Sequence, residues 1–359
     1  MKIIHCADLH LDSKMESNLD KDQAIIRRGE LLATYERMVD YAVKNDVSAI
    51  LIAGDLFDKP HIRKEAKKRV YAQIVEHPQI EFYYLRGNHD KSDFLDGVEE
   101  LPANLHQFTN TGFTSYELED VVISGMELDA TNSSTIAQRL VLDSGKLNIV
   151  MLHGQQMEYD GRDGAEYVNT SLLKGKFIDY LALGHVHKYI AGAIDERGVY
   201  CYPGCLEGRG FDETGDKGFV LLETDGDKIS SEFIPFATRR LHEIEVETRP
   251  DMDMQSIIAA ANDRLTDVDA EDLVKFVVTG LRQLEDELDM DRFLRSFEGR
   301  YYFVKGYDRT RPYVDYESFK YDKSLKGEFV RLVQSQDIDE ETKAKIIEIG
   351  IRAIMGEDI

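Results

Sequence analysis

The first two thirds of the chain repeat one pattern, in which a short apolar run is followed by polar residues and then by a longer segment. Short apolar runs closed by Gly, Asp or His are typical of strands buried on both faces of a sheet. In order, the runs are KIIHCAD, AILIAGD, EFYYLRGNHD, VVISGM, NIVMLHG, YLALGHVH, GVYCYPG and GFVLLETDG. This alternation predicts an α/β domain from Met1 to about Phe236.

The segment between the first two runs predicts a helix that covers the sheet. Its apolar residues recur at helical spacing, so they should form one buried stripe along the helix. The stripe consists of Leu31, Leu32, Tyr35, Met38, Val39, Ala42 and Val43.

The pattern changes after Pro235, which predicts a second, smaller α+β domain. Within it, LVKFVVTGL and RYYFVKGY predict strands, and a helical stripe precedes them. The residues of that stripe are Ile257, Ile258, Ala261 and Leu265. The smaller domain should end near Pro312.

Two further apolar stripes after Asp315 predict two C-terminal helices, and Asp337 with Glu340 can form a capping box for the second. The stripes are Leu325, Phe329, Leu332 and Val333, then Ile346, Ile347, Ile351, Ile354 and Met355. We therefore predict three parts, residues 1–238, 239–312 and 313–359.

Composition narrows the class of protein. With 359 residues, of which 42% are hydrophobic and 31% charged, the chain is long enough for two globular domains. The net charge of −24 argues against coating nucleic acid through an overall basic surface, but it leaves room for a local basic site. No apolar run approaches a membrane span, and Asp8 interrupts the first run early, so we expect a cytoplasmic protein without membrane contact.

The three cysteines are too few and too scattered for a disulfide framework. Cys6, Cys201 and Cys205 stand in or beside apolar segments, so we predict reduced and buried thiols.

Polar residues with metal-binding side chains stand at the ends of five predicted strands. A lone His-x-His pair usually caps a strand, but ligands in α/β sheets gather outside the carboxyl ends of strands. Aspartates and an asparagine in the same register therefore favour one metal site. Its candidate residues are Asp8, His10, Asp55, Asn88, His153, His185 and His187.

Seven donors exceed what one ion needs, whereas two divalent ions that share Asp55 would use them all. Oxygen and imidazole donors without a thiolate suit manganese, iron or zinc better than calcium. We expect manganese, with iron, zinc or magnesium as alternatives. Two such ions favour in-line displacement at phosphorus, so the sequence predicts phosphoester hydrolysis.

At these residues the sequence resembles the calcineurin-like metallophosphoesterases, whose motifs occur here in order as DLH, GDLFD, GNHD, HG and GHVH. The glycine follows His153, whereas the family pattern places it before that histidine. The resemblance covers about residues 1–236 and implies a metallophosphoesterase-type two-sheet α/β sandwich, with a smaller α+β capping domain and C-terminal helices behind it.

The resemblance also implies a role for each residue. One metal would take Asp8, His10, Asp55 and His187, and the other would take Asp55, Asn88, His153 and His185. His89 would contact the substrate phosphate or protonate the leaving oxygen, with Asp58 or Asp90 to orient it.

Within that superfamily the chain is similar to the bacterial SbcD-like DNA double-strand-break-repair nucleases, on IIHCADLHLDS and YPGCLEGRGFDETGDKGFVLLE. Asp58 stands where archaeal and eukaryotic relatives carry a histidine. In those relatives the resemblance implies that this residue steers DNA ends. His61 is an alternative for steering DNA ends, although a solvated loop position is the simpler interpretation. The resemblance implies DNA as substrate, a homodimer, and an SMC-like ATPase partner of the SbcC type.

A basic run after Asp55 could contact DNA phosphates, although such a run is also typical of a solvated helix face. The candidate DNA-binding residues in this run are Arg63, Lys64, Lys67 and Lys68, and Arg209 in EGRG is a separate candidate. No P-loop motif occurs in the sequence, so an ATPase would have to be a partner, and the C-terminal helices are its predicted docking site.

Two other functions remain open. The same metal core would serve a metal-dependent phosphatase or a nucleotide or small-molecule phosphodiesterase, because a fold does not fix its substrate. A third possibility is a scaffold subunit of an ATPase complex, against which the intact ligand set argues.

Overall fold

The computed structural model describes residues 1–15, 19–58, 62–90, 94–95, 98, 100–157, 167–284 and 286–356. It divides into two compact units, Met1–Arg240 and Leu241–Ile359. His61 lies outside the described residues. None of the helices in those ranges is both long enough and apolar enough to cross a membrane.

The first unit combines many short strands with a few helices. Its strands are β1 (Lys2–Cys6), β2 (Ala49–Ala53), β3 (Glu81–Leu85), β4 (Leu105–Gln107), β5 (Thr114–Leu118), β6 (Val121–Gly125), β7 (Leu147–His153), β8 (Gln155–Met157), β9 (Tyr167–Asn169), β10 (Tyr180–Gly184), β11 (Ile190–Ala193), β12 (Val199–Tyr202), β13 (Gly218–Asp225) and β14 (Lys228–Pro235). Its helices are α1 (Lys21–Lys44), α2 (Lys64–Glu76) and α3 (Ile136–Arg139).

Two six-stranded sheets organise the first unit, in the orders β14-β13-β1-β2-β3-β4 and β11-β12-β10-β7-β6-β5. Strands β1, β2 and β3 run parallel in one sheet, and β6, β7 and β10 run parallel in the other. One apolar cluster contains residues of both sheets, such as Leu51 and Met151. The arrangement confirms the predicted two-sheet α/β fold.

Helix α1 covers the first sheet through the predicted stripe. The Asp20 side chain accepts a hydrogen bond from the backbone N–H of Gln23 and so caps the helix. Tyr35 and Met38 are completely buried against the apolar face of the sheet. Val43 was expected in this stripe but is 39% exposed, because it lies one residue before the helix ends at Lys44.

The second unit is built on a parallel sheet in the order β15-β16-β17, with β18 also paired to β16. Its strands are β15 (Leu241–Thr248), β16 (Leu273–Gln283), β17 (Phe303–Asp308) and β18 (Arg311–Tyr313). Its helices are α4 (Met254–Asp263), α5 (Met290–Arg295), α6 (Tyr316–Phe319), α7 (Leu325–Gln334) and α8 (Glu340–Met355).

The two predicted C-terminal helices are present as α7 and α8. Val330, Val333, Ile347 and Ile351 form a buried cluster with other apolar residues of the same unit, including Leu284. The N-cap of α8 is Asp339, whose side chain accepts from the backbone N–H of Thr342, so the predicted capping box at Asp337 is wrong.

Part of each C-terminal stripe faces solvent. Leu325 and Leu332 on α7 are 68% and 62% exposed, and Met355 on α8 is 47% exposed. The three cysteines are free and buried, as predicted.

Candidate metal centre

The seven predicted ligands follow five parallel strands at their carboxyl ends. Asp8 and His10 come after β1, Asp55 after β2 and Asn88 after β3. In the other sheet, His153 is the last residue of β7, and His185 and His187 follow β10. Because parallel strands end at the same edge of a sheet, this topology brings the side chains together.

Four of these residues have a left-handed backbone conformation. The φ angles are 51° at Asp8, 43° at His10, 53° at Asp55 and 103° at His185. A non-glycine residue rarely adopts a positive φ, and such strain is concentrated at functional sites. At these turns the backbone leaves the strand, and the side chain of the turn residue is directed toward the centre.

Glycines in the motifs leave room for the ligands. A Cβ atom on Gly87 would lie 2.2 Å from Oδ1 of Asp55. A Cβ atom on Gly54 would lie 2.2 Å from Nδ1 of His153, and one on Gly184 would lie 2.7 Å from the same atom. The glycines of GDLFD, GNHD and GHVH are therefore needed because side chains pack directly against the backbone.

One group of ligand atoms comes from Asp8, His10 and His187, and these atoms lie within 4.8 Å of one another. The Nε2 atoms of His10 and His187 are 3.1 Å apart. The backbone N–H of His185 donates to both carboxylate oxygens of Asp8, at 2.9 and 3.0 Å, and so fixes its orientation.

A second group contains Asp8, Asp55 and His153, within the same 4.8 Å limit. Nε2 of His153 lies 3.5 Å from Oδ2 of Asp55 and 3.2 Å from Oδ1 of Asn88. The His185 ring is edge-on to His153, with centroids 5.5 Å apart. Asp55 also lies 3.7 Å from Nε2 of His10, so it stands between the two groups.

Outer hydrogen bonds orient two of the histidines. Nδ1 of His153 lies 2.9 Å from the carbonyl oxygen of Ala53, and Nδ1 of His187 lies 2.6 Å from Oε1 of Glu213. Each acceptor requires a proton on Nδ1, which leaves the lone pair of Nε2 turned to the centre when the ring is neutral. This is the usual arrangement for a histidine that binds a metal, so the donor set fits two divalent cations.

Burial and charge act against each other on these groups. Burial raises the pKa of Asp8 to about 6, although His153 and His187 lower it. Burial also tends to raise the pKa of Asp55. The hydrogen bond and the charge of His153 outweigh burial, so the pKa of this carboxyl falls well below its usual range. Burial lowers the pKa of His153, yet Asp55 prevails and raises it to about 9. Asp55 is therefore ionised at neutral pH.

His89 lies beside this centre and forms a third group of possible metal ligands with His10 and Asp58, apart from the two groups that contain Asp8. Its ring is edge-on to His10 with centroids 4.8 Å apart, and its Nδ1 lies 3.2 Å from Oδ1 of Asp58. That hydrogen bond is the main reason why the pKa of Asp58 falls to about 2. Asp90, the other aspartate considered for orienting His89, is buried and accepts the backbone N–H groups of Leu56, Phe57 and Gly87.

The predicted DNA-binding residues occupy two different places. Arg63 pairs with Asp12, while Lys64 and Lys68 are exposed on α2 and Lys67 is half-buried there. Arg209 lies inside the site: its Nη2 donates to Oε1 of Glu213 at 2.9 Å, and its Nη1 lies 4.0 Å from Oδ2 of Asp58.

The sequence pattern did not predict two carboxylate contacts, one with a candidate ligand and one beside the GNHD motif. Glu213 binds His187, and Glu127 pairs with Arg86, just before the GNHD motif. Glu213 stands four residues after Arg209 in the short charged stretch EGRGFDE, which was the only signal for it. Both carboxylates come from segments without a regular period.

Comparison with known proteins matches the part of the chain that carries these motifs to one family. Residues 1–189 match the sequence profile of the calcineurin-like phosphoesterases. The uncharacterized metallophosphoesterase YhaO of Bacillus subtilis (strain 168) is 30% identical over 265 residues, which are 68% of this chain and 61% of YhaO.

Two DNA repair and nuclease proteins are more distant relatives. The DNA double-strand break repair protein Mre11 of Sulfurisphaera tokodaii is 25% identical, over 69% of this chain and 66% of Mre11. The D component of the nuclease SbcCD of Staphylococcus saprophyticus is also 25% identical, over 68% of this chain and 71% of that component. The chain spans less than two thirds of the length of YhaO and of this Mre11.

Proposed function

The chain belongs to the calcineurin-like phosphoesterase family, and we propose that within this family it is a manganese-dependent DNA nuclease. Its family consists of metal-dependent phosphoesterases with a dinuclear metal site. The observation that carries the proposal is the convergence of carboxylate, amide and imidazole donors from five strand ends, with Asp55 between the two groups. Such donors are suited to manganese.

Different residues of the chain would have different roles in phosphodiester cleavage. Two bound cations would supply stabilisation for the charge that develops during in-line displacement. Asp55 would be the shared ligand, and Asp58 accepts a hydrogen bond from Nδ1–H of His89. Nε2 of His89, whose side chain is 36% exposed, then faces the substrate and transfers a proton to the leaving oxygen.

DNA as the substrate is supported by the basic helix next to the centre. The backbone N–H of Arg63 donates to Oδ2 of Asp12 at 2.8 Å, which ties the start of α2 to the loop that carries Asp8 and His10. The exposed side chains of Lys64 and Lys68 therefore extend from a helix anchored at the metal loop. Contacts of this kind hold a phosphate backbone without reading its sequence. The similarity to Mre11 and to the D component of SbcCD favours the same substrate.

An SMC-like ATPase is the partner we propose, and α7 is its docking site. Leu325 and Leu332 stand one above the other at a spacing of seven residues and are both largely exposed. An apolar stripe of this kind suits a hydrophobic groove on a partner. The homodimer implied by the family resemblance stays a prediction.

A substrate panel tests the nuclease assignment. Manganese-dependent cleavage of single-stranded, duplex and hairpin DNA would be compared with hydrolysis of bis-p-nitrophenyl phosphate and of cyclic nucleotides. We expect DNA cleavage with a catalytic efficiency well above that for the small esters. Efficient turnover of a small ester together with no cleavage of any DNA would instead assign a small-molecule phosphodiesterase.

Charge reversal tests the DNA surface separately. In a Lys64→Glu/Lys68→Glu variant, DNA binding should weaken and its dependence on salt should become shallower. The logarithmic slope should change by about 0.9 for each phosphate that is no longer neutralised. Hydrolysis of bis-p-nitrophenyl phosphate should be unchanged. Lys44→Glu, at the exposed end of α1, is the matched control. Equal DNA affinity in both variants would show that Lys64 and Lys68 on α2 do not contact DNA.

A further inference from the structure

Glu213 is a buried carboxylate at the edge of the centre that is not one of the candidate ligands. It is only 6% exposed, and it lies in the segment between β12 and β13. Its Oε1 lies 2.6 Å from Nδ1 of His187 and 2.9 Å from Nη2 of Arg209. Its Oε2 accepts the backbone N–H of Arg209 at 2.7 Å. A single carboxylate thus contacts both a candidate ligand, His187, and the guanidinium group of Arg209.

The contact with His187 has a defined chemical effect. An imidazole that donates its Nδ1 proton to a carboxylate must keep Nε2 deprotonated when it is neutral. Nε2 of His187 then points to Nε2 of His10, 3.1 Å away, where the candidate ligands converge. Without Glu213 the ring could turn or take the other tautomer, and its lone pair would leave the centre.

The contact with Arg209 extends the effect to the other side of the site. The Arg209 guanidinium lies between Glu213 and Asp58, with Nη1 4.0 Å from Oδ2 of Asp58. Asp58 in turn lies 3.2 Å from His89. Because the Arg209 side chain is only 19% exposed, these charges are poorly screened. A continuous row of charged groups therefore joins His187 to His89.

The segment that carries Glu213 is anchored on both sides. Before it, Glu207 accepts hydrogen bonds from Arg27 at 3.2 Å and from Thr34 at 2.7 Å, both on α1. After it, Nζ of Lys217 donates to the carbonyl oxygen of His187 at 2.9 Å. Anchors of this kind hold the carboxylate in one place before any ligand binds.

We propose that Glu213 is a positioning residue, which fixes the His187 imidazole as a metal ligand and holds Arg209 beside the Asp58–His89 pair. This inference rests on the proposed dinuclear centre. It adds a residue that does not itself contact metal or substrate.

Titration of Mn²⁺ into the chelator-treated full chain tests the role by calorimetry. We expect the wild-type chain to bind two ions. In Glu213→Ala, the affinity for one ion should fall by about 10–100-fold, while the affinity for the other stays within a few-fold. Glu213→Gln should lose less, because its amide oxygen can still accept the Nδ1 proton of His187. The control is Asp179→Asn, which breaks the ion pair with Arg197 before the start of β10.

Each outcome decides a different point. A wild-type chain that binds no Mn²⁺ would contradict the dinuclear centre itself. Two ions bound to Glu213→Ala with wild-type affinities would overturn only the role of Glu213. If the alanine variant does not fold, Glu213→Gln decides in the same way. A glutamine variant that does not fold either would also overturn the proposal, since a positioning residue affects the site and not the fold.

Discussion

Nδ1 of His89 lies 3.2 Å from Oδ1 of Asp58, and the His89 ring stands edge-on to His10. The pair adjoins the candidate ligand His10 and belongs to neither of the two groups that contain Asp8. Measurement can therefore decide whether His89 acts on the substrate, as we propose, or holds a metal with His10 and Asp58.

Replacing His89 should therefore affect turnover and leave the metal content unchanged. We expect His89→Ala to lower kcat by about 10²–10⁴-fold, the usual contribution of a positioned proton donor. Mn²⁺ titration should still show two bound ions. His106→Ala is the matched control, because His106 also pairs with a carboxylate, that of Glu81 at 2.6 Å. Loss of an ion from His89→Ala would make this residue a ligand instead.

Replacing Asp55 should remove both ions. Its Oδ2 lies 3.7 Å from Nε2 of His10 and 3.5 Å from Nε2 of His153, so this carboxylate is close to one histidine of each group. In Asp55→Ala we expect neither Mn²⁺ ion to bind with wild-type affinity, and hydrolysis of bis-p-nitrophenyl phosphate should disappear. An Asp55→Ala variant that retains full activity would exclude a shared carboxylate.

A methyl group on Gly87 should disturb the same carboxylate without changing any ligand. Its Cβ would lie 2.2 Å from Oδ1 of Asp55, closer than atoms can pack. We expect Gly87→Ala to weaken Mn²⁺ binding and to lower kcat, while the far-ultraviolet circular dichroism stays unchanged. Gly112→Ala is the control, because its Cβ would have no neighbour within 4 Å. Equal Mn²⁺ affinity in the two variants would show that the site tolerates a moved Asp55.

The sequence indicated that the candidate ligands would lie close together, because they stand at the ends of strands with a clear apolar signal. Each of β1, β2, β3, β7 and β10 is a run of buried residues, and the chemistry begins where the run ends. The edge strands β5 and β14 were missed because many of their residues are polar, so neither forms an apolar run. Glu213 was missed for another reason: it reaches His187 from an irregular segment, where no period points to a direction.

The stability of the first unit should depend on the protonation of His5. This side chain is completely buried, and its Nδ1 lies 2.9 Å from the hydroxyl of Tyr180. Burial lowers the pKa of His5 to about 3, from 6.5 in the unfolded chain. The unfolded state binds the proton more readily than the folded state. The contribution of His5 to the free energy of unfolding is therefore fully present above pH 6.5 and is lost as the pH falls toward 3.

The measurement is the free energy of unfolding in urea as a function of pH. Between about pH 6 and 4, the wild-type chain should lose about 1.4 kcal/mol per pH unit more than His5→Gln does, the slope for one proton. Parallel curves for the two chains would mean that His5 takes up no extra proton on unfolding.

Two substitutions on α7 should separate partner binding from folding. Leu325 and Leu332 are mostly exposed, whereas Val330 and Val333 of the same helix are buried with Leu284 and Val314. Deleting the helices would uncover Leu284 and Val314, so a change confined to the exposed stripe is the cleaner experiment. Leu325→Glu/Leu332→Glu should leave the melting temperature and the hydrolysis of bis-p-nitrophenyl phosphate unchanged.

The same variant should lose the proposed SMC-like ATPase partner on co-expression and affinity purification, because two carboxylates would have to be buried in an apolar groove. Val141→Glu is the matched control, since Val141 is 84% exposed and belongs to the first unit. Retention of the ATPase at wild-type affinity by the α7 variant would place the docking site elsewhere. If the α7 variant melts at a lower temperature, its two leucines stabilise their own unit and the stripe is structural.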